Sequence, residues 1–280
     1  MEVRMDTRFW GPSGWRLLHL VAFAAPTLNK RYLLQFFETL PYALPCKFCR
    51  ASLTEYYASD PIPMDTEEFA NWLYRIHNRV NGKLREQKLI TGKDPTWHNV
   101  KQRYEKWMRQ SCTQQAMIGW DFLYSVAYTT PCNDVTSTPI PGAPPHPATP
   151  ELRNRWNTMT IAERLPKLKL WWESLPHILP FPVWKKAWLK EVPHVPKLAC
   201  GRKAVTEWLY KAEKAMCQEL KENAPHDSFD GLCNELNAFA SGCGKIKTTK
   251  VKTCRAKKTL KRKTLDRSRT RKYFATGGFL

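Results

Sequence analysis

Apolar residues recur at helical spacing over residues 8–26, 31–58, 66–89 and 97–112, whereas the two-residue alternation of a half-buried strand is scarce. The pattern predicts an all-α first half of about four helices. In the run from Phe69 to Leu84 the apolar stripe is Phe69, Leu73, Ile76, Val80 and Leu84, with His77 and Asn81 one turn apart beside it. Polar planar groups along an apolar seam suit an aromatic, hydrogen-bonding ligand, and they also suit an ordinary core helix with satisfied polar neighbours. Prolines crowd the stretch 131–150, among them Pro139, Pro141, Pro144, Pro145 and Pro147. Proline removes a backbone donor and blocks helix continuation, so this stretch reads as an insertion or connector.

Three segments recur in the same order farther along the chain. Gly14, Trp15, Leu18, His19, Val21, Ala22, Phe23 and Pro26 align with Gly119, Trp120, Leu123, Tyr124, Val126, Ala127, Tyr128 and Pro131. Residues 36–41 and Leu44-Pro45 align with residues 171–176 and Leu179-Pro180, and Trp72-Leu73-Tyr74 with Trp208-Leu209-Tyr210. Similar gaps separate the segments apart from the Pro-rich insertion, which predicts a duplicated helical module. In the second copy Cys46 and Cys49 become Phe181 and Trp184, His19 becomes Tyr124, His77 becomes Glu213, and Asn81 becomes Cys217. The reactive groups survive only in the first copy.

A 280-residue chain with 42% hydrophobic and 12% aromatic content can bury a sizeable core. Its net charge of +20 is unevenly placed: residues 245–272 hold 14 Lys or Arg against Asp266 alone, leaving about +7 on the rest. Too few apolar residues stand in that stretch for a fold, so it predicts a disordered basic tail able to contact polyanions such as nucleic acid, anionic membrane or an acidic protein. A solvated tail with no dedicated partner is the alternative. Three regions follow: 1–112, 113–244 with the insertion at 131–150, and the tail 245–280. The amino terminus carries no apolar leader and no run of about 18 apolar residues occurs, which predicts a protein that is neither secreted nor membrane-spanning.

Nine cysteines are too few for a disulfide scaffold of this length, and only Cys46 and Cys49 have diagnostic spacing. At the start of a helix the two sulfurs lie at i and i+3 on one face. The helix amides, with Lys47 and Arg50, would favour thiolate over thiol, the form that attacks disulfides. A lone C-x-x-C is also half a zinc site, or two buried thiols. No second C-x-x-C occurs in the first 110 residues, although His19 and His77 could complete a distorted site.

Taken together, residues Arg8 to Tyr104 resemble the Erv/ALR family of FAD-linked sulfhydryl oxidases. Residues 10–19, Trp-Gly-Pro-Ser-Gly-Trp-Arg-Leu-Leu-His, look like the family's first-helix flavin motif. Residues 45–49, Pro-Cys-Lys-Phe-Cys, look like its active-site disulfide, and residues 77–84, His-Asn-Arg-Val-Asn-Gly-Lys-Leu, like its adenine-binding run. Residues 100–104 resemble its closing V-x-x-R-W with Tyr104 in place of Trp. The chain departs from the pattern at Gly11-Pro12, at Leu44 before Pro-Cys, at Arg85-Glu86, and in lacking the C-x16-C pair of cellular members. The missing pair, with Trp-Gly-Pro at residues 10–12 and the duplicated second half, is similar to the enzymes of large cytoplasmic DNA viruses, and so implies host cytoplasm and virion as the location.

The resemblance implies a four-helix bundle with a short fifth helix, holding FAD, followed here by a second helical domain. It implies Cys46 and Cys49 as the catalytic pair and Gly11, Trp15, His19, Phe23, His77, Asn78, Val80, Asn81, Lys83, Arg103 and Tyr104 as flavin contacts, with no metal. It also implies a reaction order: a substrate dithiol, or a thioredoxin-like relay, attacks Cys46 and frees Cys49, which faces the flavin, and oxygen becomes hydrogen peroxide. Family members pair as homodimers, and the duplicated half could take the partner's place within one chain as a pseudo-dimer. Cys233, Cys243 and Cys254 are candidates for a downstream shuttle, against the plainer reading of unpaired or structural cysteines, which also covers Cys112, Cys132, Cys200 and Cys217. The rival from another class is a virion structural or nucleic-acid-binding protein on an inactive oxidase scaffold.

Overall fold

The computed structural model describes residues 4–109, 116–131 and 148–241. Most of the Pro-rich insertion, the basic tail, and Cys112, Cys132, Cys243 and Cys254 lie outside the described residues. The first half is five helices. Helix α1 (Thr7–Ala24) is capped by Asp6, whose carboxylate accepts from the Arg8 amide at 2.9 Å, and α2 (Lys30–Ala43) by Asn29, which accepts from the Arg31 amide at 3.0 Å. Helices α3 (Lys47–Ser59), α4 (Phe69–Glu86) and α5 (Trp97–Arg109) follow.

The apolar run over 31–58 is therefore divided between two helices. Pro45 has no amide hydrogen and disfavours helical geometry at Leu44, which is extended at φ −51°, ψ 132°. Cys46 becomes the extended N-cap of α3, and Pro45 precedes the cap instead of occupying the first turn of the helix.

The second half consists of α6 (Trp120–Tyr128), α7 (Pro150–Thr158), α8 (Ile161–Ile178), α9 (Pro182–Glu191), α10 (Gly201–Glu219) and α11 (Phe229–Phe239). With α7 set aside, these repeat α1 to α5 in order and in packing: α1 contacts α4 and α5, and α6 contacts α10 and α11, while α2 lies on α3 as α8 lies on α9. Details recur. The Trp72 indole meets Phe37 edge-on at 5.5 Å and donates to the Asp60 carbonyl at 3.0 Å; its counterpart Trp208 meets Trp172 at 5.3 Å and donates to the Pro193 carbonyl at 3.0 Å.

The halves join through counterpart helices, α1 against α6 and α2 against α8. A Cβ placed on Gly14 would meet the Phe122 ring at 3.1 Å, and one on Gly119 would meet Leu17 at 2.7 Å. Since Leu17 and Phe122 are themselves counterparts, each glycine receives the other copy's matching side chain, the reciprocity of a two-fold interface. Phe36 and its counterpart Trp171 stack across the same seam at 5.1 Å.

One hydrophobic core runs through both halves, and a separate small cluster joins Ala51, Ala148 and Trp156. Among the described residues the strand structure is a two-residue antiparallel ladder, Arg4–Met5 with Ala240–Ser241, which ties the first of them to the end of α11 beside a Phe9–Phe239 stack at 4.4 Å. Among the described residues no helix is long and apolar enough to cross a membrane.

Candidate functional site

The C-x-x-C segment stands where α2 ends and α3 begins. Cys46 is 3% exposed and Cys49, one turn on, is half-buried. The Cys46 carbonyl accepts the Arg50 amide at 2.9 Å, opening the helix whose unpaired amino-terminal amides point toward the first sulfur's end. Lys47 and Arg50 are both only 2% exposed. Lys47 donates to Asn157 on α7 at 2.7 Å, and the Arg50 guanidinium donates to the Leu44 carbonyl at 2.8 Å. Two turns below Cys49, burial above all, with the charges of Glu55 and Cys49 adding, pushes the Tyr56 hydroxyl up to about 12.

Beside this helix, α1, α4 and α5 converge on a cluster of flat rings. Trp15 stacks on His77 at 3.8 Å, His19 stacks on Tyr104 at 4.9 Å, and Phe23 stacks on Tyr104 at 5.3 Å. His19 Nε2 and His77 Nδ1 lie 3.0 Å apart, one donating and the other accepting. Burial, and secondarily the neighbouring His77, hold His19 well below the usual imidazole range, so it is neutral at physiological pH. Its Nδ1 is buried and has no hydrogen-bond partner among the described residues. Stranding such an atom costs roughly 1–3 kcal/mol, which a ligand with a matching polar edge would recover.

Asn81 sits one turn past His77. Its amide nitrogen donates to Asp94 at 2.8 Å, while its buried Oδ1 is a second orphan. Arg85 also pairs with Asp94 at 2.5 Å and, together with the Asn81 bond, holds that carboxyl below its ordinary range despite burial. Lys83, 7% exposed, donates to Ser52 at 3.1 Å, and Ser52 stands one turn past Cys49 on α3. That bond ties the helix of the sulfurs to the helix of the rings.

The structure thus brings Trp15, His19, Phe23, His77, Asn81 and Tyr104 into one cluster and links Lys83 to the sulfur helix. Gly11, Asn78, Val80 and Arg103 sit half-buried on the same helices, and a Cβ at Gly11 would meet open space. Sequence reasoning missed Asp94, Trp97 (5.9 Å from Phe23), Ser52 and Asn157. An aspartate just ahead of α5 and an aromatic at its first position offered a weak signal for the first two; nothing marked the others. Among the described residues no group of three or more His, Cys, Asp or Glu is arranged to hold a metal ion.

In the second copy the matching positions are filled differently. Phe181 caps α9 where Cys46 caps α3, and Trp184 stands fully buried at the place of Cys49. Tyr124 donates to Glu213 at 2.7 Å where His19 meets His77, and His226 closes on the same carboxylate at 3.2 Å. Burial, reinforced by Glu213, drives the Tyr124 hydroxyl far above its usual range. Burial chiefly pushes the Cys217 thiol, at the Asn81 position, up to about 11.

The Erv1 / Alr family model matches residues 12–108. A FAD-linked sulfhydryl oxidase of African swine fever virus is 33% identical over 102 residues, 35% of this chain and 81% of that protein. The mitochondrial FAD-linked sulfhydryl oxidase ERV1 of Saccharomyces cerevisiae is 32% identical over 88 residues, covering 30% of this chain and 47% of its own length. A probable FAD-linked sulfhydryl oxidase, R368, of Acanthamoeba polyphaga mimivirus is 33% identical over 85 residues, 28% of this chain and 59% of that protein. No solved structure gives a significant match.

Proposed function

The chain belongs to the Erv1/Alr family, and from that premise we propose that it is a FAD-linked sulfhydryl oxidase whose redox pair is Cys46 and Cys49, working in the first copy alone. The observation that carries the reading is the bond from Lys83 to Ser52. It fastens the helix that starts at Cys46 to the helix that bears His77 and Asn81.

The residues present fit the cofactor. Trp15, His77 and Tyr104 offer ring faces to an adenine or isoalloxazine, and the buried orphans His19 Nδ1 and Asn81 Oδ1 offer polar edges. Gly11, Phe23, Asn78, Val80, Lys83 and Arg103 complete the assigned lining. FAD held by these residues would supply the two-electron acceptor that the side chains lack, with oxygen as the final acceptor and hydrogen peroxide as the product.

The chain's own part is thiol–disulfide exchange. A thiolate of the substrate dithiol attacks the sulfur of Cys46 in the Cys46–Cys49 disulfide; a mixed disulfide forms and Cys49 leaves as a thiolate, stabilised by the amino-terminal amides of α3. The second substrate thiolate then displaces Cys46, so the substrate leaves with a disulfide and both cysteines are reduced. Exposure runs against this order, since Cys46 is the more buried sulfur. A protein substrate must therefore open the cover over the start of α3, which favours an extended, mobile dithiol segment or a relay protein over a rigid surface pair.

We assign residues 1–112 to the oxidase module, 113–244 to its degenerate copy acting as an in-chain dimer partner, and 245–280 to a tail that contacts polyanions from the host cytoplasm or within the virion. Salt-dependent binding to DNA, with and without residues 245–280, tests the tail. Colour tests the enzyme: the purified protein should be yellow, bleach when dithiothreitol is added without air, and recover with air. A colourless protein that takes up no added FAD overturns the reading.

A further inference from the structure

We propose that Trp156 and Asn157 on α7 are positioning residues for the redox pair, acting through Arg50 and Lys47. This rests on the reading above that Cys46 and Cys49 exchange electrons, and it assigns a task to the one helix of the second half without a counterpart in the first.

Helix α7 packs on α3. It does so outside the shared core, through the cluster of Ala51, Ala148 and Trp156 with Tyr42 and Leu152 at its edge. Trp156 is 2% exposed; its ring meets Tyr42 edge-on at 5.1 Å and carries the Arg50 guanidinium at 5.6 Å. Arg50 in turn donates to the Leu44 carbonyl. Two more arginines grip the same corner, Arg155 on the Tyr42 hydroxyl at 3.1 Å and Arg164 on the Tyr42 carbonyl at 2.9 Å. The turn Leu44-Pro45-Cys46, broken by its proline, is thus held by side chains of and beside α7. Asn157 completes the contact by accepting from Lys47 at 2.7 Å.

The two partners that α7 offers these cations, an indole face and an amide oxygen, are neutral. They hold a guanidinium and an ammonium in place without adding a negative charge from α7, and both cations are nearly inaccessible to water. A charge fixed in such a place acts on a neighbouring thiolate more strongly than one in bulk solvent. Lys47 follows Cys46 in the chain and Arg50 follows Cys49, so both cations are fixed on the first turn of α3, the turn that carries the two cysteines, and their field bears on the pair from there. It stabilises the reduced, thiolate-bearing state and makes the pair a stronger oxidant of substrate.

The test is the equilibrium in which the Cys46–Cys49 disulfide and two glutathione molecules yield the Cys46, Cys49 dithiol and glutathione disulfide. It is read on full-length protein by trapping thiols and weighing the Cys46–Cys49 peptide. Asn157→Leu and Trp156→Ala should each shift this equilibrium about tenfold toward the protein disulfide, close to 30 mV, while Trp156→Phe stays within about twofold of the parent. Asn157→Leu should add nothing in a Lys47→Met background, as for two ends of one interaction. A folded Asn157→Leu protein whose equilibrium moves by less than about twofold overturns the proposal. If Trp156→Ala does not fold, Asn157→Leu decides, because Asn157 is half-buried and the indole stays in place. Failure of the parent protein to form a Cys46–Cys49 disulfide at any glutathione ratio would instead remove the premise, and the oxidase reading with it.

Discussion

At the residue scale the most constrained groups are His19 and Cys49. His19 is fully buried and neutral, its affinity for protons depressed in the folded chain relative to about 6.5 in the unfolded one. Its contribution to stability is therefore complete above that value and shrinks as pH falls below it, because the unfolded chain then binds the proton that the folded chain refuses. His177, lowered by burial and Lys185, acts in the same direction. The melting temperature should fall between pH 7.5 and 5.5, with one such proton contributing a slope of up to about 1.4 kcal/mol per pH unit, and His19→Phe should flatten it. An unchanged slope in that variant would show that His19 is not the proton-excluding group. For Cys49→Ser the expectation is a protein that keeps its yellow flavin but turns over dithiols at least ~100-fold more slowly, since the hydroxyl is no substitute for a thiolate. His77→Ala should lose flavin on gel filtration, because it removes the ring stacked on Trp15. Substantial oxidase turnover by Cys49→Ser would remove the cysteine from its role.

At the scale of elements, the contact of α1 with α6 depends on two glycines that let the helices approach. Gly119 adopts φ 102°, a conformation open to glycine, and any Cβ there would lie 2.7 Å from Leu17. Gly119→Ala should therefore cost about 2–4 kcal/mol, the sum of left-handed strain and overpacking, whereas Gly14→Ala, facing a Phe122 ring at 3.1 Å, should cost about 1–2 kcal/mol. Urea unfolding of the two variants checks the order. The same elements show what a sequence reveals. Helices α1, α4 and α5 were legible because their apolar residues form stripes, and the repeat was legible because Gly14 and Gly119 anchor the same close approach. The helix start beside Cys46 was legible from Pro45, even though the apolar stripe runs on across Leu44 and by itself gives no sign of a break. Helix α7 was invisible: Trp156 is its one buried residue, so it carries no stripe, and it follows the Pro-rich insertion that read as connector. Ser52 and Asn157 each owe their place to a lysine reaching in from another segment, a relation that no local pattern encodes.

For the whole molecule, the internal two-fold sets the number of active sites. A homodimer presents two equivalent sites, whereas under the function proposed above one chain should carry a single site, because the second copy repeats the helices and not the side chains. The carboxylate of Glu213 is fully buried at the place of His77, bound by Tyr124 and His226, and Phe181 and Trp184 occupy the sulfur positions. A flavin entering there would have to break those bonds and strand a buried carboxylate, at a cost of several kcal/mol, with no cysteine pair at the place of Cys46 and Cys49. The interface between the copies also lies within one chain, so its strength does not depend on encounter with a second molecule. Two expectations follow from the same geometry. Flavin released by denaturation should amount to one per chain, and a ratio near two would mean that the second copy binds after all. The melting temperature of the holoprotein, with free FAD held constant, should not change over a hundredfold dilution; a steady fall would show that the bundle still depends on another copy of the chain, and that the in-chain partner is not sufficient.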